Sequence, residues 1–430
     1  KIKDITTPDR EKENLEESLR SQFGNDVNFT VTENGDGSFL INMNDSQRSY
    51  YVESTGEIIA QSEMIEIGTA EELKAFRDEV NSGNTFEGKY IKLTNNITLD
   101  INEEWEPIGM YPAENTSPAD ETNKPFSGTF DGCGYEINGI YINTTDKVQG
   151  LFGLVNNGKI LNLGIGENCN ISGGAATAGL VGYLYNEGNI VNCYNKSEII
   201  GNGSLTAGIV AQTTEEGLIS QCYNSGSINN SSGNYVGGIC GNAAINSIVE
   251  KCYNVGIINS SKEYIGGICG VIQTDAVIQN CYNAGTIEGG DSRVAGICGE
   301  NFPETIIQNC YNTGEIIGKN ELVGGITGTT GGRISNCYNV GNLSGQNKIG
   351  GITGESYKVV GKDNSGIINN TYSLEGRSER ICWAIGTDVT IEDSSIKIET
   401  EMKALAPTLG SAFEEDTEGI NDGYPILSWQ

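Results

Sequence analysis

The most regular feature of the chain is a short apolar pattern that returns about every 29 residues. Within it the triplet Cys-Tyr-Asn occurs six times, beginning at Cys193, Cys222, Cys252, Cys281, Cys310 and Cys337, so that successive spacings are 29, 30, 29, 29 and 27 residues. A fixed period of this size predicts a stacked repeat architecture. Function is then sought in columns of residues along the stack, or at its ends.

Each period contains three short apolar segments separated by Gly and Asn. The first contains Gly-Ile, as in Gly267-Ile268-Cys269-Gly270, the second leads into Cys-Tyr-Asn, and the third places Ile or Leu six residues after the Cys. These segments are too short and too rich in β-branched residues for helix-pair repeats. They are too few for a four-stranded propeller blade. The pattern therefore predicts an all-β parallel β-helix with three short strands per coil.

In such a coil each strand pairs with its equivalents above and below, and like residues stack about 4.8 Å apart. Strict alternation from the Ile before the triplet would place Tyr inside and Cys outside, whereas a corner at the residue before Cys, often Asn, reverses this. In the preceding period Cys-Tyr is replaced by Leu163-Gly164. Burying Leu and exposing Gly is the better arrangement, so we expect Cys to point inward and Tyr outward.

Outside the repeats the polarity pattern changes, and four units are predicted. Residues 1–62 form a small α+β module, 63–125 an N-terminal cap with the first strands and a surface loop at 111–124, 126–395 the β-helix, and 396–430 a C-terminal cap. In the first unit Leu15, Leu19 and Phe23 recur at helical spacing. Alternating residues on either side of Asn34-Gly35-Asp36-Gly37 predict a hairpin, and a second strand pair is expected over 51–59.

The second unit has a clear helix start. Thr69-Ala70-Glu71-Glu72 has the spacing of a capping box, and Leu73, Phe76 and Val80 follow on one helical face. Asn81-Ser82-Gly83 is expected to end this helix.

Charge narrows the range of partners. Among 430 residues there are 26 basic and 57 acidic side chains, so that 26 − 57 gives a net charge of −31. Such a surface repels phosphate backbones, and nucleic acid is excluded as a partner. No run approaches the roughly 20 apolar residues of a membrane span. The chain begins at Lys1 rather than Met, as expected after removal of an export signal or a membrane anchor.

The Cys and His content restricts the chemistry. The chain has no His, which excludes His-based triads and the usual His-containing zinc sites. Nine of its twelve cysteines fall in two columns, the Cys-Tyr-Asn column and that of Cys240, Cys269 and Cys298. In two other coils the first column holds Leu163 and Thr371 instead of Cys. The position therefore requires a small, mostly buried side chain. We therefore expect buried thiols, although Cys residues on neighbouring strands are close enough to be bridged.

The combination of Gly-Gly-Ile-Cys-Gly with Ile-x-Asn-Cys-Tyr-Asn-x-Gly resembles the GLUG-motif repeat of bacterial surface proteins. The segments Trp105–Gly109 and Pro125–Gly139 resemble the start of such proteins, and Asn421–Trp429 resembles their closing segment. The resemblance extends over about residues 65–430. It implies an exported or surface-attached, adhesin-like protein, and it transfers no catalytic residue.

The Tyr column is the strongest candidate for a binding site. An outward aromatic strip could stack on sugar rings or receive the apolar face of a partner. The alternative is that stacked rings only stabilise a parallel sheet or lie under a loop. The candidate ligand-binding residues are Tyr194, Tyr223, Tyr253, Tyr282, Tyr311 and Tyr338, with Tyr372 in the same column. The neighbouring Asn column, Asn195 to Asn339, is expected to bond to itself along the ladder.

Acidic residues raise the alternative of a carbohydrate-active enzyme, a polysaccharide lyase or a glycosidase built on a β-helix. A glycosidase needs two carboxylates within several ångströms of each other. Acids cluster at Asp131, at Glu103, Glu104 and Glu106, and at Glu414-Glu415-Asp416, but the repeats place almost none at fixed columns. The irregular stretches 111–124 and 355–400 are where a grafted site would lie.

The sequence thus predicts a secreted or cell-surface, non-catalytic rod that presents a binding surface to an unidentified glycan or protein. Catalytic residues, metal sites and cofactors are not expected. A part of a larger surface peptidase is a further interpretation, and the oligomeric state is left open.

Overall fold

The computed structural model shows a parallel β-solenoid of about 11 turns with about 29 residues per coil. It describes residues 29–33, 39–43, 48–52, 58–60, 64–111, 122–146, 148–385 and 388–430, together with Glu16 and Arg20, which are helical. The predicted fold class is confirmed. Most of the surface loop expected at 111–124, and Leu15, Leu19 and Phe23 of the expected first helix, lie outside the described residues.

Each regular coil passes through five short strands that belong to four parallel sheets. The three apolar segments predicted per coil account for all five strands, because two of the segments bend and contribute two strands each. The segment ending in Cys-Tyr-Asn forms two strands of one sheet, here called the Tyr sheet. The Ile segment after it forms sheet 2, and the Gly-Ile segment supplies the strands of sheets 3 and 4.

The strands of the Tyr sheet are Met64–Ile67, Tyr90–Leu93, Ile97–Thr98, Thr129–Asp131, Glu136–Asn138, Lys159–Leu161, Gly164–Ile165, Asn189–Val191, Tyr194–Asn195, Leu218–Ser220, Tyr223–Asn224, Ile248–Glu250, Tyr253–Asn254, Val277–Gln279, Tyr282–Asn283, Ile306–Gln308, Tyr311–Asn312, Arg333–Asn339, Ile367–Leu374, Thr390–Glu392 and Ser395–Lys397. Those of sheet 2 are Tyr141–Asn143, Asn170–Gly173, Glu198–Gly201, Ile228–Asn230, Ile258–Ser260, Ile287–Gly289, Ile316–Gly318 and Leu343–Ser344.

Those of sheet 3 are Val148–Gln149, Ala176–Ala178, Leu205–Ala207, Tyr235–Gly237, Glu263–Gly266, Ser292–Ala295, Glu321–Gly324 and Asn347–Gly350. Those of sheet 4 are Phe152–Asn156, Val181–Tyr185, Val210–Thr213, Cys240–Ala243, Cys269–Ile272, Cys298–Asn301, Thr327–Thr330, Thr353–Ser356 and Cys382–Ala384. Equivalent residues pair directly, as Tyr223 does with Tyr194 and Tyr253, so the columns read in the sequence are columns in space.

The residue before each Cys forms a corner within the Tyr sheet. Asn192 and Asn280 both have a φ of 55°, in the left-handed region that Asn tolerates better than most residues. This corner interrupts the alternation of side chains along the strand. The six cysteines of the column are consequently buried in the apolar interior, and the tyrosines point away from it, as predicted.

The interior of the solenoid is one continuous apolar core. Columns of Ile, Leu, Val and Cys fill it from Ile67 to Cys382. The six column cysteines, together with Cys240, Cys269 and Cys298, are thiols without a disulfide. Several also donate to backbone carbonyls, as Cys281 Sγ does to the Gln279 oxygen at 3.1 Å.

A helix covers the N-terminal end of the core. Helix α1, Ala70–Asn81, begins at Thr69, whose hydroxyl accepts from the Glu72 amide at 3.2 Å while the Glu72 carboxylate accepts from the Thr69 amide at 3.1 Å. The predicted capping box is therefore present. Phe76 packs edge-on against Phe126, with ring centroids 5.7 Å apart, and closes the first coils.

The described strands before residue 62 form a separate antiparallel sheet. Its strands are Phe29–Glu33, Phe39–Met43, Arg48–Val52 and Ile58–Ala60, in sequential order. The hairpin and the second strand pair expected from the sequence are confirmed.

The C-terminal segment, residues 398–430, lies along the outer face of the Tyr sheet. It contains helices α2, Glu399–Lys403, and α3, Ala406–Leu409, followed by an antiparallel pair, Phe413–Glu414 with Ile426–Leu427. Its apolar side chains form a second core with the last tyrosines of the column. This packing divides the Tyr column into a covered half and an open half.

Candidate binding surface on the Tyr sheet

The six tyrosines form an unbroken stack of rings, here called the Tyr ladder. Adjacent ring centroids are 4.9 to 5.0 Å apart, and adjacent ring planes differ by 2° to 11°. The spacing of the rings is that of the strands beneath them. The ladder members are Tyr194, Tyr223, Tyr253, Tyr282, Tyr311 and Tyr338. Tyr372 is in register with Tyr338, and its hydroxyl donates to Asn370 Oδ1 at 2.7 Å.

Stacking covers the ring faces and leaves edges and hydroxyl groups for solvent. Each inner ring has a neighbour on both sides. The first ring, of Tyr194, lies over Gly164, where a Cβ atom would stand 2.4 Å from Tyr194 Cζ. Lys196 Nζ lies 4.9 Å from the centroid of the same ring. Sugar rings stack on aromatic faces, so this ladder is poorly suited to that form of recognition.

A polar cluster closes the N-terminal end of the ladder. Glu136 Oε1 accepts from the Tyr194 hydroxyl at 2.9 Å and from Lys196 Nζ at 2.6 Å. The hydrogen bond from Lys196 is the main cause that lowers the pKa of Glu136. Burial, and next the bond to Glu136, raise the pKa of Tyr194. This end of the ladder is therefore fixed by a charged pair and a neutral phenol.

The C-terminal half of the ladder is covered. Tyr311 and Tyr338 are buried beneath Leu409, Phe413 and Leu427. The Tyr338 hydroxyl donates to the Pro425 carbonyl, and the Tyr311 hydroxyl donates to Gln430 Oε1 at 2.9 Å. Neither ring is accessible to a ligand in this arrangement.

Trp429 marks the boundary between the two halves. Its ring centroid is 6.0 Å from that of Tyr282 and 6.4 Å from that of Tyr253. The indole nitrogen donates to the Asn280 carbonyl at 3.0 Å, so the ring is held in place. Beyond it Tyr194, Tyr223 and Tyr253, here called the open strip, are partly exposed.

Exposed aliphatic side chains accompany the open strip. Val255, two residues beyond Tyr253 on the same face, is 45% exposed. Ile257 and Ile248 of the same coil are 52% and 37% exposed. The coil of Tyr253 thus exposes three large aliphatic side chains.

The Asn column is structural, as expected from the sequence. Asn224 Nδ2 donates to Asn254 Oδ1 at 2.8 Å, and Asn254 Nδ2 donates to Asn283 Oδ1 at 2.9 Å. Each amide nitrogen also donates to a backbone carbonyl two residues ahead, as Asn254 does to Gly256. All six side chains, from Asn195 to Asn339, are fully buried, so they are not available to a ligand.

The acidic candidates from the sequence have separate structural partners. Asp131 is buried and accepts from the Tyr90 hydroxyl and from Asn162 Nδ2. Glu103 pairs with Lys74 Nζ at 2.5 Å. Asp416 accepts from three backbone amides between residues 420 and 423. Within the described residues, groups of three or more Cys, Asp or Glu side chains suited to holding a metal ion are absent.

Sequence reasoning missed an ion-pair cluster between sheets 3 and 4. Arg293 lies 2.8 Å from Glu263 and 3.1 Å from Glu300, and its guanidinium is 4.8 Å from the ring centroid of Tyr264. Tyr357 donates to Glu300 at 3.2 Å. Burial raises the pKa of Glu300. The only sequence signal was the irregularity predicted from residue 355 onward.

The carboxylates of this region are hidden and paired. The Glu300 side chain is 8% exposed, and Glu355, which pairs with Lys348 Nζ at 2.5 Å, is 12% exposed. The two residues stand in the same column of sheet 4, two coils apart, with Thr329 between them. Such groups stabilise the junction between sheets 3 and 4 and expose little of their carboxylates to a substrate.

Comparison with known proteins gives one family match. The sequence pattern of the GLUG motif matches residues 262–288, which span parts of sheets 3 and 4, the Tyr sheet and sheet 2. The chain carries the GLUG motif. The resemblance expected from the sequence is thereby confirmed, and the matched coil contains Tyr282 and Cys281. None of the curated proteins matches the chain.

Two solved structures resemble this protein in the path of the backbone. One, a proposed immunoglobulin A1 protease from Bacteroides ovatus, is 20% identical with a TM-score of 0.46, and the match covers 86% of this chain and 94% of that one. The other, an IgA1 protease, is 14% identical with a TM-score of 0.39, covering 86% of this chain and 25% of that one. At these scores the similarities carry no functional inference. Among the described residues, no helix is long and apolar enough to cross a membrane.

Proposed function

We propose that this chain is an exported, non-catalytic β-helical scaffold that presents the open strip to an extracellular partner. The observation that carries the proposal is the division of the Tyr ladder. Six equivalent rings lie in one stack, and within the described residues the C-terminal segment covers those at the C-terminal end. The rings left partly exposed stand on a sheet whose position is fixed by continuous ladders.

The rest of the molecule is consistent with a scaffold. Its columns are regular from about residue 178 to 355, and the hydrogen-bonded Asn column runs through six successive coils. The net charge of −31 favours solubility and disfavours nucleic acid. An extracellular location accords with the GLUG motif and with the surface proteins that the sequence resembles.

The test uses immobilised polysaccharides and purified surface proteins as a binding panel. The variant carries Tyr223→Ser and Tyr253→Ser together, and the matched control is Tyr141→Ser, which changes a partly exposed tyrosine of sheet 2. Binding by the native chain is expected to weaken at least tenfold in the double variant and to be unchanged in the control. Equal melting temperatures of the three proteins show that the fold is retained.

Two results contradict the proposal. One is binding that is indifferent to the double variant. The other is that the chain cleaves a polysaccharide of the panel or immunoglobulin A1. Immunoglobulin A1 is included because the two solved structures described above are named as proteases of it. Product analysis by mass spectrometry after prolonged incubation detects either reaction.

A further inference from the structure

The covered half of the Tyr ladder gives an example of a molecule bound to this surface. There the occupant is a polypeptide, the C-terminal segment of the chain. Phe413 packs obliquely against the rings, with centroids 5.9 Å from Tyr338 and 6.5 Å from Tyr311. Leu409 and Leu427 complete the contact. Apolar side chains therefore pack against the edges of the rings rather than between their faces.

The tyrosine hydroxyls in the covered half donate to carbonyl oxygens of that polypeptide. Tyr338 donates to the main-chain carbonyl of Pro425, and Tyr311 donates to the side-chain carbonyl of Gln430. Asn421 Nδ2 also donates to the Tyr338 hydroxyl at 2.8 Å. Two neighbouring phenol groups of the ladder thus each donate to a carbonyl oxygen of the segment, one in the main chain and one in a side-chain amide.

The open strip continues the same surface without a break. The rings of Tyr253 and Tyr282, on either side of the boundary, are 5.0 Å apart and differ by 2° in orientation. Within the described part of the chain, the hydroxyls of Tyr223 and Tyr253 make no hydrogen bond to another residue. Val255 and Ile257, two and four residues beyond Tyr253 in the chain, are exposed, and Trp429 at the end of the covered half is half-buried.

We infer that the partner of the open strip is an apolar polypeptide segment that lies along Tyr194, Tyr223 and Tyr253 as the C-terminal segment lies along Tyr311 and Tyr338. This inference rests on the proposed function and names its partner class. A glycan is disfavoured because each inner ring face is covered by its neighbours. The aliphatic side chains of the same coil have more to gain from Leu, Ile or Phe than from hydroxyl groups.

The probe is a random peptide library displayed on phage and selected against the whole chain. Selected peptides are expected to be rich in Leu, Ile, Phe and Trp, and their synthetic forms to bind at least tenfold more weakly to the Tyr223→Ser, Tyr253→Ser double variant. The Tyr141→Ser control is expected to bind them as the native chain does. Protection from hydrogen exchange is expected at residues 223–224 and 253–257.

Salt concentration separates this contact from general attraction to an acidic chain. Basic peptides drawn by the net charge lose affinity as salt rises, because exposed charges are screened. Peptides held by the open strip are expected to keep their affinity in high salt. Selection of only basic, salt-sensitive peptides overturns the inference.

The outcomes also separate the inference from the proposed function. If peptides fail while a polysaccharide binds and loses affinity in the double variant, the polypeptide partner is wrong and the binding scaffold stands. If peptides, polysaccharides and surface proteins all bind without regard to the double variant, or do not bind, both are wrong.

Discussion

Gly285 shows how closely successive coils approach one another. A Cβ atom at this position would lie 2.1 Å from the Gly256 carbonyl oxygen and 2.7 Å from Asn254 Nδ2. Its φ is not in the left-handed region, so the requirement for Gly comes from the neighbouring coil rather than from the local backbone. The same column holds Gly226, Gly256, Gly314 and Gly341, each against the turn of the coil before it.

Gly285→Ala is therefore expected to lower the free energy of unfolding by about 1 to 3 kcal/mol, the range for overpacking a tight site. Denaturant unfolding followed by circular dichroism measures the change. The neighbouring Ala284→Ser is the control, because the same column holds Ser225 two coils earlier. An effect within about 0.5 kcal/mol is expected. A neutral Gly285→Ala would show that the coils can separate at little cost.

Thr330 illustrates a polar group that the interior does not satisfy. It lies in an inward column of sheet 4, in register with Asn301 and Ser356, and its hydroxyl is buried without a hydrogen-bond partner. Thr353, three columns away in the next coil, differs because its hydroxyl donates to the Glu355 carbonyl at 2.9 Å.

Replacing Thr330 by Val is expected to raise the free energy of unfolding by about 1 kcal/mol, since an unsatisfied hydroxyl is exchanged for an apolar group of the same shape. Thr353→Val is the control and is expected to lower it by about 1 kcal/mol through loss of its bond. Thermal and denaturant unfolding distinguish the two. Destabilisation by Thr330→Val would mean that the hydroxyl is satisfied by bound water.

At the scale of single elements, the C-terminal segment is the part of the structure that the sequence described least well. The run Asn421–Trp429 indicates a closing segment, but it does not indicate where that segment docks. Tyr194 and Tyr338 stand in the same Cys-Tyr-Asn context, so sequence alone could not tell which rings are covered. The position of the segment depends on contacts between Phe413, Leu427 and rings that are distant in the chain.

Trp429 holds the end of this segment on the ladder. Trp429→Ala removes its contacts with Tyr253 and Tyr282 and its hydrogen bond to Asn280. Amide exchange over residues 424–430 is expected to be at least tenfold faster, equivalent to about 1.4 kcal/mol of local opening.

Exchange in the coil around Tyr223 is expected to be unchanged in the Trp429 variant. Trp383→Ala is the matched control, since Trp383 is half-exposed on sheet 4 and its indole donates to Ile349 rather than to the ladder. Equal exchange in the two variants would show that Trp429 does not hold the segment.

At the scale of the whole molecule, the period of the sequence predicted the solenoid and the direction of its columns. The corner at Asn192 explains why Cys rather than Tyr is inside, and the Leu163-Gly164 replacement was sufficient to indicate it. The ion pairs of Arg293 could not be predicted, because Glu263 lies one coil before Arg293 and Glu300 and no motif links the three residues. The half-covered state of the ladder could not be predicted for the same reason.

Burial of the cysteine column predicts that its thiols react slowly with thiol reagents in the native fold. The six thiols are inaccessible, and burial raises the pKa of Cys281 and Cys310, which reduces the reactive thiolate. A thiol reagent is expected to leave these six unmodified in the native chain and to modify them in guanidinium chloride, with mass spectrometry locating each site. Cys133 is partly exposed and serves as the internal reference. Rapid native modification of Cys222 or Cys252 would show that the coils open readily.

The stability of the solenoid is expected to be independent of metal. Apolar columns and amide ladders account for its cohesion, and among the described residues no group of three or more acids is placed to hold a metal ion. Adding a chelator such as EDTA should leave the melting temperature unchanged. A fall of many degrees would reveal a resident ion.

The in-register pairing of one coil on the next makes length a discrete variable. Gain or loss of one whole period would preserve every lateral partnership and displace the two termini by about 4.8 Å along the axis. Evolution could thus change the length of the rod in steps of one coil. Insertion or loss of part of a period would instead exchange inward-facing and outward-facing positions.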